Sequence, residues 1–144
     1  MRDPQRTGQL VDVYRLREER AEAAVSTASS RVQQERERHQ ALEQYMAEYA
    51  AATVSGALTA GALANRYAFV AKLADACRAQ SRVVEQQQAG LGREYLKLQQ
   101  RQTEHRRMEH LHRVACDEQD RDRRRREQRD QDEAAVTQWI QGAG

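Results

Sequence analysis

The chain has 144 residues, of which 39% are hydrophobic and 32% charged, with one Phe and one Trp. That is the length of one ordinary domain, but it carries too little apolar and aromatic material for a compact globule; Ala, Glu, Gln, Arg and Leu dominate, as in long helices and coiled coils. The 24 basic and 22 acidic residues leave a net charge of only +2, which opposes a dedicated nucleic-acid binder, whose affinity comes mainly from neutralising phosphates.

No apolar run approaches the roughly 20 residues needed to span a bilayer. The first residues lack the apolar stretch of a secretory signal. A soluble, cytoplasmic protein with no direct membrane insertion is expected. Its two cysteines, Cys77 and Cys116, fit that location as reduced thiols. On one continuous helix they would lie about 58 Å apart at about 1.5 Å per residue, too far to bridge.

The only proline, Pro4, stands near the start, so ring geometry breaks no helix after it. A first helix is predicted from about Gln5 to Ala52. Leu10, Val13, Arg17, Ala21, Ala24 and Ala28 step by three and four, as do Leu42, Tyr45, Tyr49 and Ala52. So narrow a stripe is a coiled-coil seam rather than the wide face of a globular helix. Residues 53–62 contain Gly56 and Gly61 with Ser and Thr and form the expected turn, with Thr59 as a cap for the next helix. A second helix follows from about Leu63 to about Gln138. Its seam is Leu63, Tyr67, Val70, Leu73, Cys77 and Val84, continued by Leu91, Tyr95 and Leu98.

If the helices fold back on each other, facing residues have numbers with a constant sum. Ala52 with Leu63, Tyr45 with Val70 and Leu42 with Leu73 each give 115; Val32 with Val84 and Val25 with Leu91 give 116; Leu16 with Leu98 gives 114. Independent helices have no reason to share one centre. The fold class expected is therefore all-α, a long two-helix antiparallel coiled-coil hairpin forming a single domain over 1–144. The small residues between Ala21 and Ser29 should face Ala89, Gly90 and Gly92, either as a close helix contact or as a kink. Leu10 should meet about His105. Beyond roughly Leu111 the second helix has no partner, which leaves about 30 residues, or roughly 45 Å, as an overhanging single helix.

Residues 117–133 read DEQDRDRRRREQRDQDE, with no apolar side chain. The tract holds good helix formers and lies inside the overhang. Its six Arg and eight acids make it net negative in spite of the run Arg123 to Arg126. Pairs such as Asp122 with Arg126 and Asp120 with Arg124 would support an isolated helix. The tract is either a solvated, self-paired rod or a protein-docking rod. Val136, Trp139 and Ile140 form a small apolar tip, either frayed or an interface anchor. Tyr45, Tyr49, Tyr67 and Phe69 gather near the turn, as seam packing or as a binding surface.

No phosphate loop, Rossmann fingerprint, CxxC or HExxH occurs. His112 and Cys116 share a helix face near Glu109, a pattern more in keeping with a solvated surface than with a metal site. Two helices offer no pocket to tune paired carboxylates. No catalytic residue, cofactor or metal is expected.

The run Leu42-Glu-Gln-Tyr45-Met-Ala-Glu-Tyr49, a short Gly-containing turn, then Ala64-Asn65-Arg66-Tyr67, the Leu73 seam and the late charged stretch resemble the FliJ family of flagellar export proteins. Length and arm arrangement match over nearly the whole chain. The Gly90/Gly92 pair and the Arg-rich C-terminal tract depart from the family pattern. The resemblance implies a cytoplasmic antiparallel coiled coil similar to the central stalk of rotary ATPases, peripherally associated with the inner membrane at the flagellar base and monomeric when free. It implies a place in the pore of the hexameric export ATPase, promoting its assembly and activity. It also implies contacts with the cytoplasmic domain of the export gate and with export chaperones. The gate-contacting positions implied are Leu42, Tyr45 and Tyr49, with Leu73, Cys77 and Val84 facing them. Arg123, Arg126, Trp139 and Ile140 are the positions expected to meet the ATPase ring. The alternatives are a stalk protein of a virulence type III secretion system, a self-associating coiled-coil scaffold and an Arg-rich nucleic-acid regulator.

Overall fold

The computed structural model describes residues 2–52 and 59–143. Two helices make up almost all of them, α1 over Pro4–Ala51 and α2 over Ala60–Gly142, and no strand occurs among the described residues. Their starts follow from local chemistry. Asp3 accepts the Gln5 amide at 3.0 Å through its side chain, and Pro4 fills the first helical position, where no amide is needed. Thr59 accepts the Ala62 amide at 3.1 Å through its hydroxyl, so α2 opens at Ala60, inside the segment expected to turn. The rest of that turn, 53–58 with Gly56, lies outside the described residues. At the far end α2 runs to Gly142, beyond the expected Gln138.

The chain divides into two compact units, each pairing a stretch of α1 with a stretch of α2. The all-α antiparallel pairing read from the sequence is present within each. Arg20–Leu98 form one unit. Its core is Val32, 3% exposed, with Val25, Leu73 and Cys77 close to it in burial. The sheltered stripe of α1 there runs Ala21, Val25, Ala28, Val32, Glu35, His39, Leu42, Met46 and Tyr49, and that of α2 includes Arg66, Val70, Leu73, Cys77, Gln80 and Val84. Steps of four and three alternate without a break, which is the heptad rule of a coiled coil. Polar layers interrupt the apolar ones. Gln80 donates to the Glu35 carbonyl at 3.0 Å and to its carboxylate at 2.6 Å, in the register centred on 115. His39 contacts Glu43 at 2.9 Å through Nε2, while its buried Nδ1 has no partner.

Met1–Glu19 and Gln99–Gly144 form the other unit. Ala115 is fully buried and Thr7 is 7% exposed. The Thr7 hydroxyl donates to the Pro4 carbonyl at 3.1 Å, which leaves its oxygen to accept from His112 Nδ1 at 2.9 Å. The His112 Nε2 is then free to accept from the Cys116 thiol at 3.7 Å. Gly8 lets this ring lie close, since a Cβ there would come within 3.2 Å of His112 Cε1. Two turns nearer the start of α2, His105 bridges the helices, with Nδ1 on Glu18 of α1 and Nε2 on Glu109 of its own helix at 3.0 Å.

Several expectations are corrected here. His105 meets Glu18 rather than Leu10. Leu10, Val13 and Leu16 are 38%, 43% and 50% exposed, while Val11, Tyr14 and Glu18 take the sheltered positions. Counting down from Val25 by four and three reaches Ala21, Glu18, Tyr14, Val11 and Thr7, so heptad continuity outweighs the apolar character of Leu10 and Val13. The same slip of one residue moves Tyr45, Tyr67 and Tyr95 off the seam and puts Met46, Arg66 and Glu94 on sheltered positions. Packing continues past Leu111 through Ala115, because the register shifts near the start of α1, where Thr7 meets His112 and Pro4 lies level with about Ala115. The uninterrupted exposed stretch runs from Arg123 to Ala143, about 30 Å of helix. The glycines do not serve close contact either. A Cβ on Gly92 would meet nothing within 4 Å, and one on Gly90 would meet only Arg93 of its own helix at 3.6 Å; α2 passes through both as continuous helix.

Val32→Ala removes two methyl groups from the seam and should lower unfolding free energy by about 1–3 kcal/mol. Val13→Ala should stay within about 0.5 kcal/mol, as for ordinary surface changes. Urea melts followed by circular dichroism compare them, and equal losses would restore Val13 to the seam. Gly92→Ala, free of any clash, should stabilise by about 0.5–1 kcal/mol; a lower melting temperature would mean that the glycine answers a need of the backbone.

Candidate functional site

Two regions carry exposed side chains of a kind that binds partners. The first lies in the Arg20–Leu98 unit, where α1 ends and α2 begins. The last carbonyls of a helix have no intrahelical donor, and the last turn of α1 holds no basic residue. Arg66 supplies the donor from α2. Its Nη2 reaches the carbonyls of Tyr49 at 3.2 Å and Ala52 at 3.1 Å, and its guanidinium carbon lies 5.5 Å from the Tyr49 ring centroid. The other side of the cluster is Phe69, edge-on to Tyr49 at 4.7 Å and to Tyr45 at 6.4 Å. Such edge-to-face pairs add about 0.5–1.5 kcal/mol beyond their burial. The three rings and one guanidinium therefore form a fixed group rather than loose aromatic side chains. Tyr67, at 68% exposed, stands out from it, with Tyr45 at 49%.

Of the positions implied for the gate, Tyr45 is exposed, Leu42, Tyr49 and Val84 are half-buried, and Leu73 and Cys77 are buried in the seam. A partner reaching this end meets Tyr45 and the flanks of Leu42 and Tyr49 before it meets the buried Leu73 or Cys77, and Val84 lies further along α2. Sequence reasoning placed Arg66 only in a motif. The signal of its role was present, since α1 ends without a basic residue of its own in the last turn.

The second region is the bare end of α2 in the unit that contains Thr7 and His112. From Arg123 to Ala143 every residue is exposed. Trp139 and Ile140 are 74% and 60% exposed, and Val136 is 56%. The ion pairs along it are Asp120 with Arg123 at 3.3 Å and Asp122 with Arg125 at 3.9 Å, in place of the i,i+4 pairs expected with Arg124 and Arg126. Both spacings share a helix face. Solvated pairs of this kind contribute at most about 1 kcal/mol each, so they support the helix without anchoring it to anything. No group of three or more His, Cys, Asp or Glu is placed to hold a metal ion among the described residues. No helix among them is long and apolar enough to cross a membrane.

The family of the flagellar FliJ protein matches the chain over residues 4–144. That span takes in both helices and both exposed regions. The chain belongs to the FliJ family. No curated protein and no solved structure matches it. As a FliJ-family member it is a stalk protein related to flagellar export, a structural component of that apparatus. In this FliJ-family chain the Asn65-Arg66-Tyr67 stretch has a physical role, because Arg66 closes the end of α1 and Tyr67 is left facing solvent.

Removing the cross-helix cap should loosen the end of α1 alone. With Arg66→Ala, amide exchange over Tyr49–Ala52 should quicken several-fold while that around Val32 stays unchanged. Arg66→Lys should show most of the same loss, because a single ammonium cannot reproduce the planar fork. Unchanged exchange in both variants would remove Arg66 from this role.

Proposed function

We propose that this chain is the central stalk of the flagellar type III export ATPase, promoting assembly and activity of the hexamer and linking it to the export gate and export chaperones. It acts without catalysis of its own, in the cytoplasm at the inner-membrane base of the flagellum. The observation that carries the reading is the bare helical end, Arg123 to Ala143, exposed at every position. A helix end that has lost its partner and still displays Trp139 and Ile140 suits a surrounding protein ring. Arg123 and Arg126 supply charge along it, and Trp139 is the type of side chain that anchors interfaces.

The aromatic region of the Arg20–Leu98 unit suits the gate. Tyr45 and Tyr49 on α1, with Leu42 beside them, offer an aromatic face that is already ordered by Phe69 and Arg66. Preorganisation lowers the ordering cost of association. Leu73, Cys77 and Val84 lie further along the same helix pair, with Leu73 and Cys77 buried in its seam. Family membership favours the flagellar system over a virulence one.

Purified protein added to the cognate hexamer should raise its ATPase rate, and Trp139→Ala combined with Ile140→Ala should remove most of that stimulation while helicity holds. Absence of stimulation by the unaltered chain would sink the stalk reading. Separately, Tyr45→Ala and Tyr49→Ala should each weaken binding to the purified gate cytoplasmic domain about ten-fold with nearly unchanged circular dichroism. A collapse of the helical signal would make these rings seam packing instead.

A further inference from the structure

The start of α1 is held to α2 through histidine rings. We propose that His105 works as a proton-dependent clamp, joining the two helices while the site holds a proton and releasing the start of α1 when that proton leaves. Nδ1 of the ring meets Glu18 of α1, and Nε2 meets Glu109 of α2 at 3.0 Å. A neutral imidazole has one N–H and one bare nitrogen, and an ionised carboxylate only accepts. Two carboxylates therefore need two hydrogens, one more than a neutral ring supplies, whichever heavy atom carries it. Without that hydrogen one carboxylate faces a lone pair, and its arm of the clamp is lost.

Neighbouring charges do not replace the proton. On α1, Arg15 pairs with Asp12 at 3.2 Å, Arg17 lies over the Tyr14 ring and Glu19 is exposed. On α2, Arg101 pairs with Glu104 at 3.0 Å, and Arg106 and Arg107 are exposed. Glu18 and Glu109 make no further ion pair among the described residues. The His105 and Glu18 side chains are only 15% and 20% exposed, so this arm is screened much less than the solvated pairs on the bare end of α2. Little else holds the unit. Ala115 is its one buried apolar residue among the described ones, against Val25, Val32, Leu73 and Cys77 in the other unit. The Thr7 contact with His112 uses a ring with one N–H and one accepting nitrogen, so it calls for no added proton. Near neutral pH the paired helices then carry more protons than the separated ones. The pairing weakens as pH rises through the histidine range, about 5 to 8 for an unperturbed ring. Release would bare α2 back to about His105. The inference concerns the hold of α1 on α2 and stands apart from the ATPase reading.

Amide exchange of the full chain at about pH 5.5 and about pH 8.5, near the two ends of that range, tests it once each rate is corrected for its intrinsic pH dependence. Protection over Thr7–Glu18 should fall about ten-fold from the lower pH to the higher, as for the loss of one hydrogen bond to a charged group. Protection around Val32 and Leu73 should stay unchanged. His105→Gln has no proton to lose and should show equal protection at both pH values. Glu18→Gln should flatten the response too, because an amide can accept from a protonated ring or donate to a neutral one. This second variant decides the matter where His105→Gln leaves the segment unprotected throughout. Equal protection of the unaltered chain at both pH values would overturn the proposal. A fall that survives in either variant would overturn it equally.

Discussion

The alternating three-and-four step of the sheltered positions is the constraint on which both helix pairs depend. A helix pair buries only a narrow stripe, and here that stripe is filled more by spacing than by apolarity. Glu35, His39 and Gln80 share it with Val25, Val32 and Leu73 in one unit. Thr7, Glu18, His105 and His112 share it with Val11, Tyr14 and Ala115 in the other. Gln80 and His105 find partners across the seam, on Glu35 and Glu18, whereas His39 pairs with Glu43 of its own helix and keeps a buried Nδ1 without a partner. Leaving such groups unpaired would cost about 1–3 kcal/mol each. The mean apolar content is too low for a wide core, and a single chain of matched layers replaces it.

That balance explains what could be read from the residues and what could not. The hairpin itself was legible, because Val25, Val32, Leu42, Leu73 and Val84 lie on the true stripe and share one centre. Its two ends were less so. Leu10, Val13, Tyr45 and Tyr67 are apolar or aromatic and sit one residue beside the stripe, so counting hydrophobic residues selects them. Val11, Tyr14, Met46 and Arg66 are found only by carrying the heptad through. Hydrogen-bonded pairs such as Thr7 with His112 have no hydrophobic signature at all. Glycines mislead in the same way. Gly92 looks like a site of close approach and faces open space, whereas Gly8, embedded in an ordinary helical run, is the one against which a ring rests.

The functional surfaces follow from where the stripe stops being useful. Near the start of α2, Arg66 substitutes for the missing cap of α1 and orders Tyr49 and Phe69 around itself. Past Ala115 the second helix outruns the first, and from Asp117 to Glu133 it carries no apolar side chain, ahead of the exposed Val136, Trp139 and Ile140. Membership of the FliJ family gives these two regions their context in flagellar export. An aromatic face held by a guanidinium and a charged helix with an apolar tip are different kinds of surface, suited to different partners.

The central claim is that α2 is paired through Ala115 and bare from Arg123 onward. Amide hydrogen exchange on dilute, full-length protein reads this residue by residue, because local opening tracks the loss of packed contacts. The account predicts the slowest exchange around Val32 and Leu73, clear protection around His112 and Ala115, and the fastest exchange of α2 between Arg123 and Ala143. Protection of that last stretch equal to the stretch around Ala115 would contradict it.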